Sequence, residues 1–535
     1  MRSAPLTTCR NVTAQLGRPG IGRRSALLAG VAIGGAPGLV AYGVGRSSPG
    51  QLRHRLELTS GARSGEVTTD SALVWARSSG DGRMAVRLSS NGRVLRTVPG
   101  PWADGRSDHT ARVLLEGLAP GRAYDVDVSF GADGTGGVPE RISFSTPSIQ
   151  PSATSFVWSG DTCGQGWGIN EELDGLTTYR AMLETRPDFF VHLGDTVYAD
   201  IEIPSSQVED TGAVWHNVVT EEVAKVAETL GEFRGRHRYP LLDRNVRALY
   251  AEVPTISMWD DHETMNNWYP GEIVDDDRYA VRRCDVLAAR GRRAWQEYQP
   301  VPVKRLVDRT GDGFASSRIY RKVPRGAHLD VFCLDMRSYR GPNGPSTGPG
   351  QPGILGPEQE RWLIDEVSRS RATWKIICAD LPLSIPSNWE DDRDGPCNGI
   401  DGAPTGREPE IARVLAAFKR DGVQNVVWIT ADVHYTAAHH YDPARAGCTD
   451  FDPFWEFVSG PMAAETFPRK DDILDRTFGP EVVFSKGNDT GRRQSPRDGN
   501  QFFGHVAIDR DGLLTVTLHD GSGVALWTRD LEPSR

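Results

Sequence analysis

The sequence predicts an α/β catalytic domain with buried, largely parallel strands, preceded by a small fibronectin- or immunoglobulin-like β-sandwich. From about Gly65 to Pro147, short alternating runs are separated by turn residues with no helical period between them. After Pro147, apolar runs alternate with helical patterns, which is how strand–helix–strand units read. At 535 residues the chain also exceeds one ordinary core, so two domains and a leader are expected.

Residues 1–46 read as the leader. Arg23-Arg24 precedes an apolar run from Ala26 to Tyr42, rich in Gly and Ala and broken by Pro37, a poor membrane span. A paired arginine before a mildly hydrophobic stretch predicts a twin-arginine export signal. The protein is then secreted, outside the cell or in its envelope, with no integral membrane contact once the signal is removed. Charged residues make up 25% and hydrophobic ones 38%, the composition of a soluble globular protein. A net charge of −10 without a basic stripe argues against a stable nucleic-acid complex. It leaves phosphate substrates open, because bound metal ions reverse the local field.

Residues 55–147 form the predicted β-sandwich. Ser71–Arg77, Met84–Leu88, Thr110–Leu115 and Tyr124–Phe130 fit half-buried strands, with turns at 80–82, Asn91-Gly92 and Pro120-Gly121. The stretch Leu115–Tyr124 resembles the strand corner of fibronectin type III domains. No catalytic constellation falls here, so the domain is expected to be a structural or lid-like appendage.

Residues 150–525 form the predicted catalytic domain. Its strand-like runs are Ser155–Trp158, Phe189–Leu193, Ile256–Trp259, Val331–Leu334, Lys375–Cys378 and Val426–Ile429. Helical patterns cover Leu176–Glu184, Pro357–Ser368 and Glu408–Lys419, the second starting with Pro at the favoured first helical position. The Gly/Pro-rich loops near 341–353 and 389–407 are placed by their length near the site opening.

Seven cysteines carry no CxxC spacing, so no disulfide framework is implied. Cys333 and Cys378 read as inert core, and Cys397 and Cys448 as a candidate pair after export. Cys163 alone has a chemically loaded neighbourhood.

Four strand ends are followed by metal-binding side chains. The first runs into Asp161-Thr-Cys163, the second into Gly194-Asp195-Thr-Val-Tyr198, and the third into Asp260-Asp261-His262-Glu263 with Asn266-Asn267 beyond. The last runs into Asp432-Val-His434. In open α/β sheets sites form at the carboxyl ends of strands, so these loops can converge. A lone Asp after a strand is usually a turn or cap residue; the coincidence of four is the signal. His192 and His328 read as structural, and His439-His440 point to opposite faces of a strand.

In this order the motifs resemble the calcineurin-like metallophosphoesterases, and within them the PhoD-type alkaline phosphatases and phosphodiesterases. Trp259–Glu263 with Asn266–Trp268, Leu334–Arg340 and Leu355–Leu363 agree with that group, and the likeness covers about 55 to 525. It implies a metallophosphoesterase-type layered α/β domain that hydrolyses phosphomonoesters or phosphodiesters by attack of a metal-bound hydroxide. It also implies a dinuclear centre of Fe³⁺ and Ca²⁺, with Zn²⁺ or Mn²⁺ as alternatives at one position. Asp195 would bridge, with Cys163 and Tyr198 on the harder metal and Asp261 and Asn267 on the second, and Asp161 is a further candidate ligand. Asp432 and His434 would add ligands from the last loop. Asp161-x-Cys163 departs from the general Asp-x-His, so Cys163 would take the His position. His262 is the candidate general acid or a support of the Asp261 loop. Arg337 or Arg340 is the candidate phosphate contact.

Gly344-Pro-Ser346-Thr-Gly348 matches G-x-S-x-G by letters only, since its prolines mark a loop rather than a nucleophile elbow. No P-loop motif occurs. The alternatives are a phospholipase D-type or other phosphodiesterase and a non-catalytic secreted binding protein. The expected partner is a phosphate-ester substrate, and the expected state a monomer.

Overall fold

Turn chemistry starts the fold: Asn91 and Gly92 both have positive φ, the backbone a two-residue hairpin needs, and join strands Gly82–Ser90 and Arg93–Ala103. The computed structural model describes residues 55–133, 136–302, 318–344, 353–386 and 393–534. Arg23-Arg24 with its apolar run, Ser346 and the start of the 389–407 loop, with its Trp389, lie outside them.

Gly82–Ser90, Arg93–Ala103, Ala123–Gly131 and Glu140–Ser145 make a four-stranded antiparallel sheet. Inward side chains such as Met84, Val86, Val126 and Val128 alternate with outward ones, burying one face against Val74, Val113 and Leu115. The Tyr124 hydroxyl accepts a hydrogen bond from the Ala119 amide at 2.8 Å, the corner its sequence suggested.

The facing layer does not belong to this region alone. Strand Leu58–Gly65 pairs in parallel with Thr255–Ser257, so Leu58–Gly65, Ser71–Ser78 and Thr110–Glu116 become the edge of a nine-stranded sheet. Gly65 permits the junction: a Cβ there would stand 2.6 Å from Pro300 Cγ and 2.7 Å from the Thr255 carbonyl. The small N-terminal β region thus joins the catalytic sheet through the pairing of Gly65 with Thr255.

The rest of that sheet contains the parallel strands Thr154–Ser159, Phe189–His192 and Thr255–Ser257, then the antiparallel Phe502–Ile508, Leu514–Asp520 and Ala525–Leu531. A seven-stranded sheet holds Leu329–Cys333, Trp374–Cys378, Val426–Thr430 and Phe454–Val458 in parallel, with antiparallel strands at its edges.

Period-two alternation explains the layering. Phe156, Trp158 and Val191 face Val331, Ile376 and Val427 of the second sheet. Val157 and Phe190 face the other way, onto helices Thr177–Glu184 and Arg244–Glu252. On the far side Phe332, Ile377 and Trp428 meet helices Gly356–Arg369 and Glu408–Arg420. The catalytic part is therefore α/β/β/α, with strands apolar on both faces, and fully burying each large side chain contributes about 1.5–3 kcal/mol. Among the described residues no helix is long and apolar enough to cross a membrane. Cys397 is buried, Cys448 is partly so, and both are free thiols.

Candidate metal centre

The four predicted strand ends meet. Asp161 and Asp195 follow adjacent parallel strands, Asp261 follows the next one, and Asp432 and His434 follow Val426–Thr430 of the other sheet. Asp161, Asp195, Asn267, Asp432 and His434 all have φ between 51° and 69°. Asn and Asp tolerate this left-handed backbone better than bulkier residues, and it turns each chain sharply enough to aim the side chain back over the sheet edge. Gly194, at φ 123°, lets two of these loops touch: a Cβ there would lie 2.5 Å from Asp260 Cβ.

Three groups of ligand atoms result, each lying within 4.8 Å of one another: Asp161, Asp195 and His434; Asp195, Asp261 and His262; Asp260, Asp261 and Asp432. Asp195 is common to the first two. The Tyr198 hydroxyl joins the first group, 2.9 Å from His434 Nε2 and 3.3 Å from Asp161 Oδ1. His434 Nδ1 donates to the Glu465 carbonyl, and its ring stacks on Phe467 at 4.3 Å. That contact orients the ring with Nε2 facing Asp161, 3.1 Å away. The Asn267 backbone N–H donates to Asp261 Oδ2 at 2.6 Å.

Burial and crowding set the electrostatics. Burial, then Asp261, Asp260 and Asp161, push the Asp195 carboxyl well above the usual range. Burial and Asp260 do the same to Asp432, and burial and Asp195 to the Tyr198 hydroxyl. The donor set fits cations on a direct observation: Asp161 Oδ2 and Asp261 Oδ1 are buried and accept no hydrogen bond. A carboxylate oxygen in that condition is costly unless a positive charge meets it.

The structure does not bring Cys163 to this set. Its side chain packs among Ile169, Leu176 and Tyr179, where burial and then Asp243 raise its thiol pKa far above the ordinary value. Asp161, two residues earlier, stands beside Asp195 instead. Arg337 is a second correction: fully buried, it places Nε 2.6 Å from Asp260 and grips Asp394 at 2.8 and 3.0 Å. It holds two loops together and does not line the cavity. Arg340 is buried against the same Asp394.

His262 Nδ1 lies 2.7 Å from Asp200 Oδ1, and its ring stacks on Tyr198 at 4.1 Å. Burial works to lower its pKa, but Asp200 and Asp261 outweigh that and raise it to about 10. Asp200 escaped the sequence argument because one more Asp in an acidic loop carries no period or motif; its place five residues after Asp195 was the only signal. Glu263 also went unassigned. It accepts from the Thr196 amide and hydroxyl at 2.7 and 2.6 Å and from the Asp260 amide at 2.8 Å, clamping the second and third loops.

These side chains open on a cavity of about 370 Å³, walled by Leu381, Ile385, Pro386, Val433 and Phe467 and holding Lys470. Burial lowers the Lys470 pKa and the charge of Asp432 opposes the shift. A larger cavity of about 670 Å³, near Thr178 and Arg497, contains none of the grouped Asp and His ligands, so size does not mark the chemistry. His439 is occupied by Glu456 at 3.2 Å, as befits a structural residue.

A family model of the PhoD-like phosphatase matches residues 156–519, and one of the PhoD-like phosphatase N-terminal domain matches residues 45–135. Alkaline phosphatase D of Bacillus subtilis (strain 168) is 26% identical over 473 residues, spanning 80% of this chain and 73% of that protein. A solved structure of PhoD shares the fold, with a TM-score of 0.67 at 20% identity over 89% of this chain and 92% of its own. With the first model spanning well over half of its length, the chain belongs to the PhoD-like phosphatases and is a phosphoester hydrolase.

Proposed function

We propose that the protein is an exported, metal-dependent phosphoesterase, a monomer acting on phosphomonoesters, phosphodiesters or both. The observation that supports it best is the pair of buried, donorless oxygens on Asp161 and Asp261, in two ligand groups that share Asp195. Asp161, Asp195, Tyr198 and His434 would hold the harder ion, Fe³⁺. Asp195, Asp261, Asp432 and Asn267 would hold the second, Ca²⁺, with Zn²⁺ or Mn²⁺ as alternatives at one position. Without Cys163 the donors are oxygen and imidazole nitrogen, a set that suits these ions. All of them come from one chain, so the centre needs no second copy. Export rests on Arg23-Arg24 and the apolar run after it.

Bound there, the ions supply positive charge against the phosphoryl oxygens and an ionised water. The chain's own residues do the rest. Asp200 holds the His262 ring by Nδ1, leaving Nε2 to hand a proton to the leaving oxygen. Glu263 keeps the Asp195 and Asp260 loops in register, and Val433, Ile385 and Phe467 exclude bulk water.

Elemental analysis of the purified protein with hydrolysis of p-nitrophenyl phosphate and bis-p-nitrophenyl phosphate tests the proposal. Wild type and Cys163→Ala are expected to bind stoichiometric metal and turn over. Asp161→Ala is expected to lose metal and about 10³-fold in kcat/KM. Metal loss with Cys163→Ala alone would restore the thiolate as ligand. A folded wild type that stays metal-free and inactive on both esters after reconstitution with Fe and Ca would overturn the metal-dependent mechanism.

A further inference from the structure

Lys470 has no part in the chemistry above, yet it lines the same cavity as Asp195, Asp261, His262, Asp432 and His434. Among the described residues of that lining it is the one Lys or Arg, because Arg337 and Arg340 are turned inward onto Asp394. The residue is half-buried. Its Nζ donates to the Pro386 carbonyl at 3.0 Å, and among the described residues no carboxylate oxygen comes within 4.0 Å of it. An ammonium carries three donors, and among the described residues this bond uses one. The charge of Asp432 reaches it from beyond 4.0 Å, and an anion in the cavity would complement the ammonium at closer range. Protonated Lys470 cannot serve as a metal ligand; its complement is an acceptor oxygen.

We propose that Lys470 contacts a non-bridging phosphoryl oxygen of the substrate and sets a preference for phosphomonoester dianions over phosphodiester monoanions. The proposal rests on the phosphoesterase reading above and names its substrate class. A monoester at alkaline pH offers three non-bridging oxygens and two charges. In a diester the second ester link takes the place of one oxygen and removes one charge. A point charge aimed at that oxygen therefore gains more from the monoester.

The test compares metal-loaded wild type, Lys470→Met and Lys470→Arg in two measurements: kcat and KM on p-nitrophenyl phosphate and bis-p-nitrophenyl phosphate, and calorimetric binding of inorganic phosphate and dimethyl phosphate. Lys470→Met is expected to lose about 10- to 100-fold in kcat/KM on the monoester and about 10-fold in phosphate affinity. The diester and dimethyl phosphate are expected to change by less than about threefold, and Lys470→Arg to recover part of the monoester rate. If Lys470 only braced the Pro386 loop, both esters and both anions would weaken together, and that result overturns the proposal. So does an unchanged phosphate affinity. Wild type that turns over neither ester, yet shows the phosphate difference, would sink the proposed catalysis and leave the Lys470 contact standing.

Discussion

Single side chains carry most of the chemistry, and their backbones are bent to suit it. Left-handed φ at Asp161, Asp195, Asp432 and His434 is strain gathered at one place, which is where a protein accepts it for function. Residue type was legible in the sequence; orientation was not. Asp161 and Cys163 both follow the same strand, and only the turn between them decides that the carboxylate faces the site while the thiol joins an apolar cluster. The same blindness hid Asp200. If Asp200 holds and charges His262, Asp200→Asn removes the largest influence raising the ring's pKa. A general acid must be protonated to act, so the alkaline limb of the kcat pH profile is expected to move to lower pH. An unmoved limb would leave His262 as support for the Asp261 loop.

At the level of elements, the alternating and helical runs gave reliable boundaries where a face is apolar. The helices seen at Thr177–Glu184, Gly356–Arg369 and Glu408–Arg420 differ from expectation by at most one residue at either end. Helix Leu230–Arg238 was not legible because its buried face is partly polar: Arg236 and His237 lie inside, so no apolar period shows. Arg236 Nη1 bonds the Tyr198 and Ile201 carbonyls at 2.8 and 2.6 Å, which ties this helix to the metal-binding loop. Its start is a capping box, with Thr229 and Glu232 satisfying each other's backbone amides. Thr229→Ala is expected to cost about 1 kcal/mol, read as a lower urea midpoint with unchanged slope. A shift within error would mean the helix is held by its packing alone.

Across the whole molecule, burial of neutral histidines links stability to pH. Burial and the neighbouring Arg63 push His237 down to about 3, and burial with His519 pushes His505 to about 4. Each is lowered from an ordinary value of 6.5. As pH falls below about 6.5 the unfolded chain takes up protons that the folded one refuses, so stability is complete above that value and declines toward 4. For a single such group the slope approaches about 1.4 kcal/mol per pH unit. His237→Phe keeps a ring stacked against Tyr298, where His237 sits 5.7 Å away, and removes the titration. Urea unfolding from pH 7.5 to 4.5 should show wild type losing stability faster than the variant by about that slope. Parallel curves would mean that His237 does not titrate with folding.

Composition, periodicity and the order of four motifs were enough for the fold class, for ten of the strands and for the convergence of Asp195, Asp261, Asp432 and His434. These follow from rules that act along the chain: alternation for strands, apolar stripes for helices, and ligands placed where parallel strands end. Contacts distant in sequence obey no such local rule. The joining of Leu58–Gly65 to Thr255–Ser257, the clamp by Glu263, the inward turn of Arg337 and the place of Lys470 in the cavity wall each depend on which surfaces meet in space. Charge and burial at a point are sums over neighbours from every part of the chain. They take their values only once the two sheets have packed.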